Sequence, residues 1–176
     1  LSSYSSGFPI KYTYYFVDWF TTSNGTTFFD FDVAYDEDIT VYAHWSRSAV
    51  EVSFDLDSKD GDCSSSSVPS TQEFGSGGRA KKPTDPTVDS GYRFTGWYTR
   101  SSTKPYVYTL YNFNSPVSSD TTLYAGFEKL SYDVEFVMND HGTAIPSQSV
   151  EHGNKASKPS DPTDDTYKFI GWYADE

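Results

Sequence analysis

Cysteine and methionine are nearly absent, with one of each, Cys63 and Met138, in 176 residues. A single thiol excludes an intrachain disulfide framework. Basic residues are also scarce: 13 Lys+Arg stand against 25 Asp+Glu, a formal net charge of −12. That balance opposes a nucleic-acid groove, whose affinity comes mainly from neutralising phosphates. No apolar run approaches the ~20 residues a membrane-spanning helix needs, so no membrane span is expected. The Ser-rich start lacks the basic cluster and apolar run of a signal peptide. Leu, Ile, Val and Phe together form only about a fifth of the chain, a share that by itself warns of disorder. Against that warning stand 13 Phe, 15 Tyr and 4 Trp, 18% of all residues. Aromatic rings bury large apolar areas, and here they recur in ordered places.

Self-similarity comes first, because it dictates architecture. Tyr15-Phe16-Val17-Asp18-Trp19-Phe20, Arg93-Phe94-Thr95-Gly96-Trp97-Tyr98 and Lys168-Phe169-Ile170-Gly171-Trp172-Tyr173 align, with tryptophans 78 and 75 residues apart. Asp38-Ile39-Thr40-Val41-Tyr42-Ala43-His44-Trp45 matches Asp120-Thr121-Thr122-Leu123-Tyr124-Ala125-Gly126-Phe127. Lys82-Pro83-Thr84-Asp85-Pro86-Thr87 matches Lys158-Pro159-Ser160-Asp161-Pro162-Thr163, and Val52-Ser53-Phe54 matches Val134-Glu135-Phe136. These correspondences divide the chain into the second half of one repeat (1–48), a complete repeat (49–128) and the first half of another (129–176). The linkers are short, so neighbouring repeats are expected to sit end to end.

Within a repeat the dominant period is two. Val50, Val52, Phe54 and Leu56 alternate with polar residues, the pattern of a strand with one buried face; Val134, Phe136 and Met138 repeat it. Polar turns follow, then a second strand near Gln72 and Gln148 that ends at Gly77-Gly78 and Gly153-Asn154, residues suited to a left-handed turn. The Pro-x-x-Pro stretch lacks ladder donors and reads as an ordered connection or a short helical turn. The Phe-x-Gly-Trp-Tyr segment reads as the next strand. A short turn or helix near 115–120 is expected before the closing strand, because Pro116 is followed by Ser and Asp residues.

This ordered string of motifs resembles the Listeria–Bacteroides repeat, the B repeat of internalin-type surface proteins. The matching residues include Gly77-Gly78-Arg79, Pro83 through Thr87, Gly91 through Thr99 and Ser119 through Ala125. The trailing half is similar through Phe136, His141-Gly142-Thr143, Gly153-Asn154-Lys155, Pro159, Pro162 and Gly171-Trp172-Tyr173. The resemblance implies an α+β, β-rich fold of tandem β-grasp-like (ubiquitin-like) repeats, one complete and two partial. It implies a secreted or wall-attached bacterial surface protein, without catalytic, metal or cofactor residues. The structural repeat motif then comprises Trp19, Phe94, Gly96, Trp97, Tyr98, Tyr124, Gly171, Trp172 and Tyr173. Two departures stand out: Asp18 occupies the motif-glycine position, where it is expected to loosen a close backbone approach, and a Ser-rich insertion occupies 64–67.

Few side chains invite chemistry. His44, His141 and His152 stand near no Ser or Cys in a nucleophile–base arrangement, and acids around Cys63 disfavour its thiolate. Asp55, Asp57, Asp60 and Asp62 offer hard oxygens of the kind Ca²⁺ takes, but not at EF-hand spacing; a solvated turn is the simpler reading. Tyr106, Tyr108 and Tyr111 lie in a variable loop, where exposed rings can stack on sugars, and loops carry binding sites. The expected function is therefore a non-catalytic spacer or stalk that extends a surface protein and adheres to host or matrix ligands. A carbohydrate-binding module using the loop tyrosines is the alternative, and an enzyme fragment the remote one. The expected partners are neighbouring repeats, a host protein or glycan, and a second copy whose partial repeat completes this one head to tail.

Overall fold

The computed structural model describes residues 13–57, 62–64 and 66–174. Nine strands form three sheets, and no helix occurs among the described residues. The first sheet pairs β1 (Tyr15–Phe20) with β2 (Tyr42–Ser46). The second contains β3 (Ala49–Asp55), β4 (Gln72–Gly75), β5 (Tyr92–Arg100), β6 (Tyr108–Leu110) and β7 (Thr121–Lys129). The third pairs β8 (Ser131–Val134) with β9 (Gln148–Glu151).

The central sheet runs β4-β3-β7-β5-β6, with β3 and β7 parallel and every other pair antiparallel. Alternation separates its two faces. Val50, Val52, Phe54, Leu123, Ala125 and Trp97 point inward and are almost wholly buried. Cys63, Ala80 and Val117 close over them from the connecting loops, with Phe74, Phe94, Tyr111, Phe113 and Phe127 at the margin. The core is thus a sheet face capped by irregular chain. The stretch 115–120 is not helical, because Val117 is bonded across to another segment: its N–H donates to Gly78 O and its carbonyl accepts from Gly77 N, both at 2.8 Å. The Pro-x-x-Pro stretch 83–86 is an irregular connection rather than a helical turn.

The repeats share detail well below the level of strands. The β1–β2 ladder sets Phe16 opposite Trp45, Trp19 opposite Ala43 and Phe20 opposite Tyr42. In β5–β7 the same ranks hold Phe94–Phe127, Trp97–Ala125 and Tyr98–Tyr124. The β3–β4 ladder, Ala49↔Gly75 to Val52↔Gln72, recurs as Ser131↔Glu151 to Val134↔Gln148. Gln72 clamps Lys81 through two backbone bonds of 2.7 and 2.8 Å, and Gln148 clamps Ser157 through two of 2.8 Å.

Two expectations about strands fail for one physical reason. Residues 168–173 form no strand, and β8 stops at Val134 instead of continuing through Met138. In the central sheet β7 lies between β3 and β5 and supplies the partners of both. No strand fills that place among the described residues of the third repeat, so the ladder bonds that would extend these segments are not made.

Candidate functional site

The recurring tryptophan centres each repeat. Trp97 is 1% exposed, with Phe54 and Phe94 edge-on at 5.0 and 5.7 Å between ring centroids. Trp172 holds Phe136 and Phe169 at the corresponding positions, both at 5.2 Å. The indole N–H of each tryptophan is buried without a hydrogen-bond partner. Trp19 keeps Phe16 at 5.7 Å and is 38% exposed; the opening strand that brings Phe54 to Trp97 has no counterpart in residues 13–48. Gly96 and Gly171, just before the tryptophans, have φ of +138° and +151°, values side chains rarely adopt. Gly96 lies where the β5–β7 register shifts. A Cβ there would lie 2.7 Å from Leu110 Cδ1. Asp18 takes the equivalent place in β1 with φ outside the left-handed region.

The outer face of the central sheet carries the exposed tyrosines. Arg100, at the end of β5, stacks over Tyr124 of β7 at 3.8 Å and Tyr106 of the preceding loop of β6 at 4.3 Å. Its guanidinium also donates to Tyr124 Oη at 3.0 Å. Hydrogen bonding to the Tyr108 hydroxyl raises the arginine's pKa. Tyr108 donates to Asp57 Oδ2 at 3.0 Å. Tyr106 and Tyr108 are 39% and 41% exposed. Tyr111 lies elsewhere: it packs on the core edge-on to Phe113 at 4.9 Å. Its hydroxyl is buried without a hydrogen-bond partner, and burial pushes its pKa up. The sequence pattern missed this because Tyr111 looks like its loop neighbours; only its bond to Trp97 O, 2.8 Å, draws it inward.

The remaining candidates are placed by packing. His44 lies against Phe20 at 4.7 Å, His141 against Tyr167 at 4.3 Å, and His152 against Tyr132 at 6.0 Å. Cys63 is 2% exposed within the core. Of the acidic loop, residues 58–61, including Asp60, lie outside the described residues. Asp57 is engaged by Tyr108, and Asp62 is buried. Among the described residues no three His, Cys, Asp or Glu side chains are grouped to hold a metal ion.

Side chains also meet where repeats adjoin. β1 lies across the turn after β4, so close that a Cβ on Gly75 would sit 2.6 Å from Tyr15 O. There Arg79 forms a bidentate pair with Asp18, Nε to Oδ2 at 2.7 Å and the terminal nitrogen to Oδ1 at 3.1 Å. Arg79 also donates to Phe29 O at 3.1 Å and lies over the Phe28 ring at 4.2 Å. At the next joint Leu130 N donates to Gly91 O and His152 N to Leu130 O, while the His152 ring covers Gly91. The departure at position 18 was legible in the sequence; its arginine partner, 61 residues away, was not.

These features define a tandem array of small β-repeats, each carrying the recurring tryptophan, which is fully buried in the complete one. The chain belongs to the Listeria-Bacteroides repeat domain family, whose model matches residues 5–44, 51–126 and 132–176. It is 32% identical over 170 residues to a protein of Evansella cellulosilytica provisionally named a membrane protein, a match covering 96% of this chain and 24% of that one. It is 37% identical over 95 residues to internalin H of Listeria monocytogenes, a match covering 53% of this chain and 16% of that one. The chain therefore spans a quarter or less of the relatives it resembles. No solved structure matches it significantly. No helix among the described residues is long and apolar enough to cross a membrane.

Proposed function

We propose that the chain is a non-catalytic stalk segment of a bacterial surface protein, standing outside the cell and extending a distal part from the wall. The carrying observation is the spacing of the repeats: a single residue, Leu130, separates β7 from β8, and two separate β2 from β3. Connections this short keep consecutive units in contact, and such arrays gain stability from each unit plus its neighbours. The internalin H relationship supports surface placement. The β-grasp-like reading draws support from the central sheet: in repeat-internal numbering its order is 2-1-5-3-4 with a parallel central pair. Small-angle scattering tests the stalk directly. A rod-like profile whose maximum dimension matches three repeats in line is expected; a compact sphere would overturn it. Turnover on a broad hydrolase panel would overturn the non-catalytic part.

A second reading, glycan adhesion, is favoured by the exposed rings of Tyr106 and Tyr108 around Arg100. Glycan-array binding that disappears in Tyr106→Ala and Tyr108→Ala would select it. The stalk reading also extends to self-association. Residues 39–42 of one copy, which lead into β2, can add to residues 134–137 of another in the register that β7 adopts on β3, setting Val134 opposite Ile39 and Phe136 opposite Val41. Concentration-dependent growth in scattering mass, abolished by Val41→Pro, is the expected result; monomers at every concentration would refute it.

A further inference from the structure

We propose that Asp18 and Arg79 form a docking code between consecutive repeats, in which an acid at the motif-glycine position selects a following repeat with arginine after its Gly-Gly turn. The pair sets the angle at which the two units meet. The pair acts at the joint alone, whether or not the chain serves as a stalk.

Three observations converge on it. The contact is built rather than incidental: the side chains of Arg79 and Asp18 are 18% and 14% exposed, and both carboxylate oxygens are engaged. Planar, bidentate geometry fixes direction as well as distance, and a largely dehydrated pair is screened less by salt than a surface one. Arg79 also reaches a second segment of the first repeat, through Phe29 O and the Phe28 ring. One side chain therefore ties two elements of the preceding unit to the turn of its own. The turn itself is shaped for that approach. Gly77 has φ +94°, and a Cβ on Gly75 would lie 2.8 Å from Val17 Cγ2. On Gly78 a Cβ would run into Val17 O.

The second joint supplies the internal control. There the corresponding positions are Gly96 and Lys155, and no ion pair links them among the described residues. A lysine is a point charge without the planar fork, and glycine has no acid to offer it. The turn of the third repeat instead meets the second where the His152 ring covers Gly91, while His152 N donates to Leu130 O just as Ser76 N donates to Ser48 O at the first joint. The same turn is thus received farther along the Trp strand at the first joint and before that strand at the second. The residue at the motif-glycine position distinguishes the two.

The arrangement assigns a reason to the substitution of the motif glycine. In β5 the glycine serves a positive φ and the approach of Leu110. In β1 that conformation is given up, and an acid there reaches the next repeat. The expected partner of such a strand is another repeat bearing Gly-x-Gly-Gly-Arg, not an unrelated protein.

The test uses the full chain with spin labels at exposed sites, one pair spanning repeats one and two and another spanning two and three. Double electron–electron resonance should give a single narrow distance across the first joint. Asp18→Gly restores the motif residue, and Asp18→Asn keeps the shape without the charge. Both should broaden or shift that distance and leave the second-joint distance unchanged. Amide spectra of each variant establish that the first two repeats remain folded. Should Asp18→Gly fail to fold, Arg79→Lys reads the same effect from the other partner. An unchanged first-joint distance in folded Asp18→Asn and Arg79→Lys would overturn the proposal, as would a matching shift at the second joint.

Discussion

Phe54 and Phe136 hold the same place in two repeats, and truncating each to alanine should have unequal consequences. Phe54 is 6% exposed and lies edge-on to Trp97 at 5.0 Å, within a sheet that continues on both sides. Removing a buried phenylalanine costs about 3–5 kcal/mol, since the lost transfer energy is joined by that of the cavity. The edge-to-face contact adds about 0.5–1.5 kcal/mol to what area alone predicts, which places Phe54→Ala toward the top of that range. Phe136 makes the same contact with Trp172 at 5.2 Å, but it is only half-buried, and among the described residues no strand lies alongside it as β7 lies beside β3. Half of the ~1.5–3 kcal/mol gained by fully burying such a side chain is about 1 kcal/mol. A domain of this size is stabilised by roughly 4–12 kcal/mol. Phe54→Ala should therefore lower the melting temperature of the second repeat by roughly 15–40 °C, and Phe136→Ala should shift the third by only about 4–8 °C. Thermal scans by near-ultraviolet circular dichroism follow the tryptophans, and hydrogen exchange assigns each loss to its repeat. Equal costs at the two positions, or a loss below about 1 kcal/mol at Phe54, would refute the claim that burial beside β7 in a completed sheet makes this aromatic core strong.

Gly126→Ala drives a Cβ into the Tyr98 ring and within 2.7 Å of Thr95 Oγ1; an overpacking loss of about 1–3 kcal/mol is expected in denaturant titration. Gly78→Ala should disturb the first joint more than the fold of either neighbour, seen as shifts of β1 amides with the central core signals retained. Tyr108→Phe removes the hydrogen bond to Asp57 at the surface, and a change within about 1 kcal/mol is expected by equilibrium unfolding. Asp89 is held below its ordinary 3.8 by hydrogen bonding to Ser64, side chain first and then backbone. Asp164 is held below it by the N–H groups of Thr166 and Tyr167. A lowered folded pKa means these carboxylates stabilise the fold fully above the ordinary value, and the contribution is lost as pH falls through the depressed one. Asp89→Asn and Asp164→Asn should each flatten the acid limb of the stability–pH curve and lower the neutral plateau.

Much of the architecture was written locally. The alternation of Val50, Val52 and Phe54 selects a strand and its buried face, because side chains of a strand point to opposite sides in turn. The recurrence of Phe-x-Gly-Trp-Tyr marks the repeats, and left-handed turns at Gly77 and Gly153 follow from residues that tolerate positive φ. Those properties belong to a residue and its near neighbours, so the linear order carries them. Pairing does not. Residues 168–173 carry the same motif as β5 yet form no strand, because a ladder needs a partner alongside and β7 has no counterpart there among the described residues. Val117 leaves a plausible helix start for bonds to Gly77 and Gly78, some 39 residues away. Tyr111 turns into the core while Tyr106 and Tyr108 stay outside on Arg100, and Asp18 reaches Arg79 in the next unit. Each of these depends on which distant segment the fold sets beside it, a question of contact in space that sequence spacing within one repeat does not encode.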